Sequence, residues 1–422
     1  MTQHSSNWGT VVAAMFLVAG TCIGGGMLAL PLATGIPGFF PSLIVMVFCW
    51  IAMTMSALLL LEVTLWMEEG VHVITMTSRI LGKPGRIASW ILYLFIAYAS
   101  IVAYTAAAGG QISRLMDNFF NFSVSQEWGC LIFLLLFGLI VDFGTALVGR
   151  INAILFMAMI AAYCAMVGLG IPEIQKDLLL QHQWSGAWLS VPLLLTAFSF
   201  QTMVPSLTPY LHKNALKLRW AIVGGTGIAF VVYAIWQGMI MGIVPVEGSK
   251  GLAASLARGE PITQFLGEHT NSMWISIIAH FFAFFAIVTS FLGITLGLFD
   301  FLSDGLHIPK KGWGKIGLGL LIVIPTLFFA TQFERVFFIA LDATGGFGDT
   351  ILNGIMPVLM VWIGRYWLGY QGPYRLIGGK VTLILLFIGF SAAFLMSVAA
   401  LFGLMPSIFD VYQLLDMEKN SL

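Results

Sequence analysis

The chain has 422 residues and no net formal charge, with 59% hydrophobic and only 9% charged residues, at a mean hydropathy of +0.95. A water-soluble domain carries about 25% charged residues, so most of this surface must meet lipid or other apolar helices. The neutral balance argues against nucleic acid or an acidic partner.

The 46 glycines and 21 methionines suit close-packed, adjustable membrane helices. Cys22, Cys49, Cys130 and Cys164 lie in or beside apolar segments without CxxC spacing. They read as small buried hydrophobes, with neither a disulfide frame nor a metal site expected. Apolar runs long enough to cross a ~30 Å hydrocarbon core fall at 9–36, 39–66, 86–113, 128–147, 151–171, 186–211, 219–243, 272–302, 313–331, 334–363 and 379–404. The expected fold is an all-α membrane protein with eleven transmembrane helices. The first run has no basic stretch before it and exceeds a signal-peptide core, so it reads as an uncleaved span.

Orientation follows from loop charge. With the N-terminus in the cytoplasm, the inner links hold most of the basic residues, among them Arg79, Lys83, Arg86, Arg150, Lys213, Lys217 and Arg219. The odd number of spans then places the C-terminus in the periplasm. Trp66, Trp90, Trp128, Trp188, Trp220, Trp274 and Trp313 sit near span ends, where an interfacial aromatic belt is expected. Five spans over 1–171 followed by five over 186–366 would start on opposite sides of the membrane. That is an inverted repeat, with 379–404 as an additional helix.

The first helix of each repeat is interrupted. Gly24, Gly25 and Gly26 stand in succession, and each glycine weakens a helix by about 1 kcal/mol relative to alanine. In the sixth span, Phe198-Ser199-Phe200-Gln201 runs into Pro205, which removes a backbone donor. Non-helical backbone at membrane depth is tolerated where it lines a cavity or binds a ligand. N–H groups at 24–26 would favour a carboxylate. Carbonyls freed near Ala19, Gly20, Phe198 and Ser199 would take an ammonium group or Na⁺. A zwitterion suits such a pair of ends, and neither break contains a charged side chain. Close glycine packing and a plain proline kink are the other readings of these segments.

The run Gly20-Thr21-Cys22-Ile23-Gly24-Gly25-Gly26-Met27-Leu28-Ala29-Leu30-Pro31 resembles the signature of the hydroxy/aromatic amino acid permeases, tyrosine and tryptophan types above all. Those permeases lie within the amino acid-polyamine-organocation superfamily. The likeness continues in Glu62–Trp66, Pro205-Ser206-Leu207, Phe284–Phe301 and Gly345–Gly348, and so covers nearly the whole chain. It implies a LeuT-type 5+5 inverted repeat with helices 1 and 6 unwound mid-membrane, uptake of an aromatic amino acid, and proton coupling. Where the family commonly reads Gly-Ala-Gly, this chain has a third glycine at Gly25, which is expected to loosen the site.

Ionisable groups at membrane depth are costly and therefore functional candidates. Glu62 in span 2, His280 in span 8, and Asp342 and Asp349 around Gly345–Gly348 are the candidates for a coupling proton. Thr289 and Ser290 match the place where sodium-coupled relatives supply hydroxyls. Tyr98 and Tyr104 in span 3, Phe200 and Gln201 in span 6, and Phe284 in span 8 are candidates to surround an aromatic ring. Each has an ordinary alternative as a packing or interfacial group. The 244–271 link is long enough for an outer lid.

The expected function is proton symport of tyrosine, tryptophan or phenylalanine across a bacterial inner membrane by alternating access. A Na⁺-coupled carrier and an amino acid sensor on the same fold stay open. A channel lacks a repeated filter, and an enzyme lacks HExxH, GxSxG or any comparable set. No cofactor is expected beyond the coupling ion. The expected partners are the amino acid and the bilayer, and a monomer is compatible with the sequence.

Overall fold

Leu, Ile, Val, Phe and Ala dominate every long segment, and in lipid a helix pairs its backbone groups internally. The computed structural model describes residues 8–412 apart from 69–70, 121, 144, 249, 259–261, 271 and 334. Among the described residues the regular structure is helical, one β-bridge between Gly38 and His182 aside. In chain order the helices are α1 (Trp8–Cys22), α2 (Leu30–Gly35), α3 (Phe39–Trp66), α4 (Val73–Phe120), α5 (Gln126–Asp142), α6 (Thr145–Gly170) and α7 (Lys176–Leu180). There follow α8 (Val191–Ala197), α9 (Val204–Tyr210), α10 (Ala215–Ile243), α11 (Leu252–Arg258), α12 (Thr263–His269) and α13 (Met273–Leu306). The last four are α14 (Gly312–Gln332), α15 (Val336–Ala343), α16 (Met356–Tyr366) and α17 (Gly379–Leu401), with a π-helical stretch at Thr344–Ile355 joining α15 to α16.

Nine helical segments among the described residues are long and apolar enough to cross a membrane, and ten if the bent pair at residues 8–35 is one span. The segment expected at 128–147 is the shorter apolar α5, of 17 residues. The helix expected at 86–113 begins earlier, at Val73, and bends at Gly82. Its first turns carry Arg79, Lys83 and Pro84, which read as a polar link in the sequence. Gly82 has φ +70°, which only glycine adopts without strain.

Small residues bring these helices together. A Cβ on Gly225 of α10 would lie 2.5 Å from Val18 and 2.6 Å from the Met15 carbonyl of α1. Such close backbone approach maximises dispersion contact where lipid removes the hydrophobic drive for helices to associate. Large apolar side chains cover the outside, including Phe48, Ile154, Met157 and Leu385, as a lipid-facing surface requires.

Trp128, Trp220, Trp274 and Trp313 are exposed at helix ends as expected. Trp66, Trp90 and Trp188 are half-buried. Trp66 and Trp90 pack against Gly364 and Gly305, where a glycine leaves room for an indole. Cys22, Cys49 and Cys130 are buried, but Cys164 is exposed on the outer face of α6. The 244–271 link folds into α11 and α12, which bury Leu252, Leu256, Phe265 and Leu266. The chain after α17 returns so that the Tyr412 hydroxyl donates to the Leu32 carbonyl at 2.8 Å.

Candidate substrate site

Both interruptions have the same construction. α1 stops at Cys22, Ile23 and Gly24 follow, a 3₁₀ turn runs Gly25–Ala29, and α2 starts with Pro31 in its first turn. The bend across this break is 47°. α8 stops at Ala197, a 3₁₀ turn runs Gln201–Met203, and α9 starts with Pro205 in its first turn. A proline there forfeits only an N–H that a helix start leaves unpaired, and its φ is already helical. Proline thus sets where each helix resumes. The two breaks touch: the Thr21 hydroxyl, which donates to the Leu17 carbonyl at 2.8 Å, also lies 3.0 Å from Met203 Sδ.

Side chains from four other helices pack around the breaks. The Gly25 N–H donates to Ser290 Oγ of α13 at 2.9 Å, and the Tyr104 ring of α4 packs on the same glycine. A Cβ on Gly24 would stand 2.2 Å from Ser290 Oγ, and one on Gly25 would stand 2.4 Å from the Tyr104 ring. The third glycine therefore does not loosen the site, because the tyrosine ring occupies the space an alanine methyl would take. A Cβ on Gly26 would meet no atom within 4 Å, so this position borders open space. Gly20 faces the Phe156 ring of α6. From α10, Tyr233 Oη reaches the Cys22 and Ala197 carbonyls at 2.5 and 2.8 Å, and Trp236 Nε1 donates to the Met27 carbonyl at 2.9 Å. Phe198 stacks edge-on against Tyr233 at 5.2 Å between ring centroids.

A polar cluster adjoins the second break. Ser199 Oγ donates to Asp349 Oδ1 at 2.6 Å. Asn353 Nδ2 donates to Ser199 Oγ at 2.9 Å and to Asp349 Oδ1 at 2.7 Å. Asp349 Oδ2 is buried without a hydrogen-bond partner. The Ser56 hydroxyl of α3 donates to the Asn353 carbonyl, tying the cluster to a third helix. Asp349 and Asn353 lie in the π-helical stretch, a form found mostly as short segments at functional sites. Its Gly345 packs directly on α8, where a Cβ would fall 1.8 Å from the Pro192 carbonyl.

Several expected residues stand elsewhere. Tyr98 turns to α14, its hydroxyl donating to the Leu321 carbonyl at 2.9 Å. Phe284 packs against Phe137 of α5 and Phe285. His280 is exposed on α13, with Nδ1 2.7 Å from the Ser276 carbonyl. Thr289 bonds back to the Phe285 carbonyl of its own helix at 2.8 Å. Gln201 is wholly buried and engaged: Oε1 accepts the Phe200 N–H at 2.9 Å and Nε2 donates to the Met53 carbonyl at 3.1 Å. It braces the break against α3 and has little left for a ligand. Phe200, 1% exposed, is core. Asp342 has a buried oxygen without a hydrogen-bond partner among the described residues, and so is not bonded through it to either break.

Glu62 holds neither break. It takes a bidentate bond from Arg365, with Nε at 2.6 Å from Oε1, and a further bond from the Leu376 N–H at 2.8 Å. Both side chains are nearly inaccessible, at 2% for Glu62 and 3% for Arg365. The pair clamps α3 to α16 and the following link. Among the described residues no group of three or more His, Cys, Asp or Glu side chains could hold a metal ion.

Sequence reasoning missed Tyr233, Trp236, Asn353 and Ser56. Tyr233 and Trp236 are three apart on α10 and so share a face, but they lie in a stretch that reads as an ordinary apolar span. Nothing in it indicates that its hydroxyl reaches backbone of two distant segments.

A multi-pass helical bundle in which two similarly broken helices face each other has the build of a membrane carrier. The chain belongs to the Tryptophan/tyrosine permease family, which it matches over residues 8–397. It is a membrane permease and not an enzyme. It is 33% identical over 383 residues to the tyrosine-specific transport system 1 of Haemophilus influenzae, covering 89% of this chain and 94% of that one. A tryptophan-specific transport protein of the same organism is 28% identical over 383 residues, covering 88% and 91%. Among solved structures, MhsT in complex with L-phenylalanine superposes with a TM-score of 0.57 at 17% identity, covering 94% and 98%. A mutant of the manganese transporter of Eremococcus coleocola gives 0.63 at 14% identity, covering 99% and 94%. Both establish the fold as that of LeuT-type transporters and say nothing of this chain's cargo.

Proposed function

We propose that the protein is a secondary carrier that imports an aromatic amino acid by proton symport with alternating access. Tyrosine is the first candidate substrate, with tryptophan and phenylalanine as alternatives. The observation that carries this reading is the meeting of the two breaks at Tyr233, with Ser290 and Tyr104 packed on the glycines of the first. Backbone N–H groups at 24–26, that of Gly25 on release from Ser290, would take the α-carboxylate, and the carbonyls that end α1 and α8 would take the α-ammonium. Gly26, beside open space, is where a ligand would approach. The relatives named for tyrosine and tryptophan support an aromatic side chain.

Eleven crossings give the inverted repeat, with 1–171 and 186–366 as its halves and α17 outside them. The shared order of helix, gap, 3₁₀ turn and proline-led helix in α1–α2 and α8–α9 supports the pairing. The N-terminus lies in the cytoplasm and the C-terminus in the periplasm, across a bacterial inner membrane.

For the coupling proton, Asp349 is the favoured seat among Glu62, His280, Asp342 and Asp349. Its free Oδ2 can take a proton while Oδ1 keeps Ser199, which belongs to the second break. Charge-assisted hydrogen bonds are roughly twice as strong as neutral ones. Protonation would therefore loosen the hold on the break, and release would tighten it. Ser290, at the first break, favours Na⁺ as the second reading. Labelled tyrosine accumulated in proteoliposomes under an inward proton gradient alone supports the first reading. Dependence on Na⁺ supports the second, and no accumulation under either gradient refutes both.

A further inference from the structure

Tyr233 sits where the two broken helices end. Its hydroxyl oxygen is within hydrogen-bond distance of the Cys22 and Ala197 carbonyls, the last residues of α1 and α8. The ring is wholly buried and held by Phe198. Two features of this contact are informative.

A helix leaves its last carbonyls without intrahelical partners and carries partial negative charge at that end. Two such ends converge on one point, so the point attracts a positively polarised donor. Tyrosine also has only one hydroxyl proton to offer two acceptors, so it can serve them only partly. A group with several donors and a positive charge would serve them better, and an α-ammonium has three.

We propose that Tyr233 is a positioning residue that stands in for the substrate's ammonium group in the unloaded carrier. The inference rests on the carrier reading above and adds a specific step to it. With substrate bound, the ammonium serves both carbonyls and the hydroxyl turns aside. Without substrate, the hydroxyl holds the ends of α1 and α8 together, so that the unloaded carrier can pass between its outward- and inward-facing forms. Unpaired carbonyls buried during that passage would each cost free energy. Tyr233 thus matters to the return of the unloaded carrier and little to the crossing of the loaded one.

Transport assays separate these two steps. Net uptake into empty vesicles requires the unloaded carrier to return. Exchange of external labelled tyrosine for internal unlabelled tyrosine needs only loaded crossings. Tyr233→Phe keeps the ring against Phe198 and removes the hydroxyl. The expected result is net uptake reduced roughly tenfold or more, with exchange within about twofold of wild type and tyrosine binding as tight or tighter, since the hydroxyl no longer competes. Trp236→Phe removes a donor from the same helix face without touching the paired carbonyls, and is expected to reduce both modes in parallel.

Net uptake and exchange falling together in Tyr233→Phe would overturn the proposal, as would both remaining unchanged. A wild-type protein that moves no aromatic amino acid in either mode would instead refute the carrier reading on which this inference rests.

Discussion

Replacing Arg365 by methionine tests whether the Glu62–Arg365 pair is a structural clamp. Glu62 is held by the Arg365 guanidinium on both oxygens and by the Leu376 N–H, and the two side chains are 2–3% exposed. Removing the arginine leaves a buried carboxylate with one backbone donor. Breaking a buried pair from one side typically costs about 3–5 kcal/mol, because the remaining charge stays uncompensated. The Arg365 Nη2 bond to the Leu376 carbonyl is lost as well. Replacing both partners, with Glu62→Leu and Arg365→Met together, removes the stranded charge and should recover most of the loss. The assay is thermal unfolding in detergent, followed by the monodisperse fraction on size exclusion. The single variant is expected to melt lower by roughly 5–10 °C and the double variant close to wild type. A single variant as stable as wild type, or a double variant as damaged as the single, would refute the reasoning.

Gly25→Leu should abolish saturable tyrosine uptake while the protein still inserts, since even a Cβ there meets the Tyr104 ring at 2.4 Å. Gly25→Ala should lose about tenfold in uptake and regain most of it when Tyr104→Leu is added; a pair that performs no better than the single variant would count against the steric account. Asp349→Asn should eliminate accumulation driven by a pH gradient while leaving tyrosine exchange measurable, whereas His280→Ala should leave both intact. Proton-driven accumulation surviving in Asp349→Asn would move the coupling site to Asp342. If the carrier is instead Na⁺-driven, Ser290→Ala should remove the Na⁺ dependence and Thr289→Val should not, because Thr289 bonds its own helix.

Composition and hydropathy were enough to read the class of this protein, since a chain so poor in charge has few folds open to it. The broken helices were legible for a local reason: three successive glycines and the proline at Pro205 act on the backbone of their own segment. The positions of Gly24, Gly25 and Ser199 at these breaks follow from that local chemistry, whereas Ser290 reaches the first break from α13. The extent of α4 was less legible, because its first turns are polar.

Only the tertiary structure decided which side chains serve the site. Tyr98 and Tyr104 stand on one helix six residues apart, yet one donates to α14 and the other lies on Gly25. Glu62 and Asp349 are both carboxylates in apolar segments, and hydropathy treats them alike. One meets an arginine over 300 positions away in sequence, and the other meets a serine at a helix break. Sequence periodicity gives the face a residue occupies on its own helix, but the partner of that face depends on how distant helices pack. Tyr233 is the clearest case, because its meaning lies in two carbonyls from segments that meet only in the folded bundle.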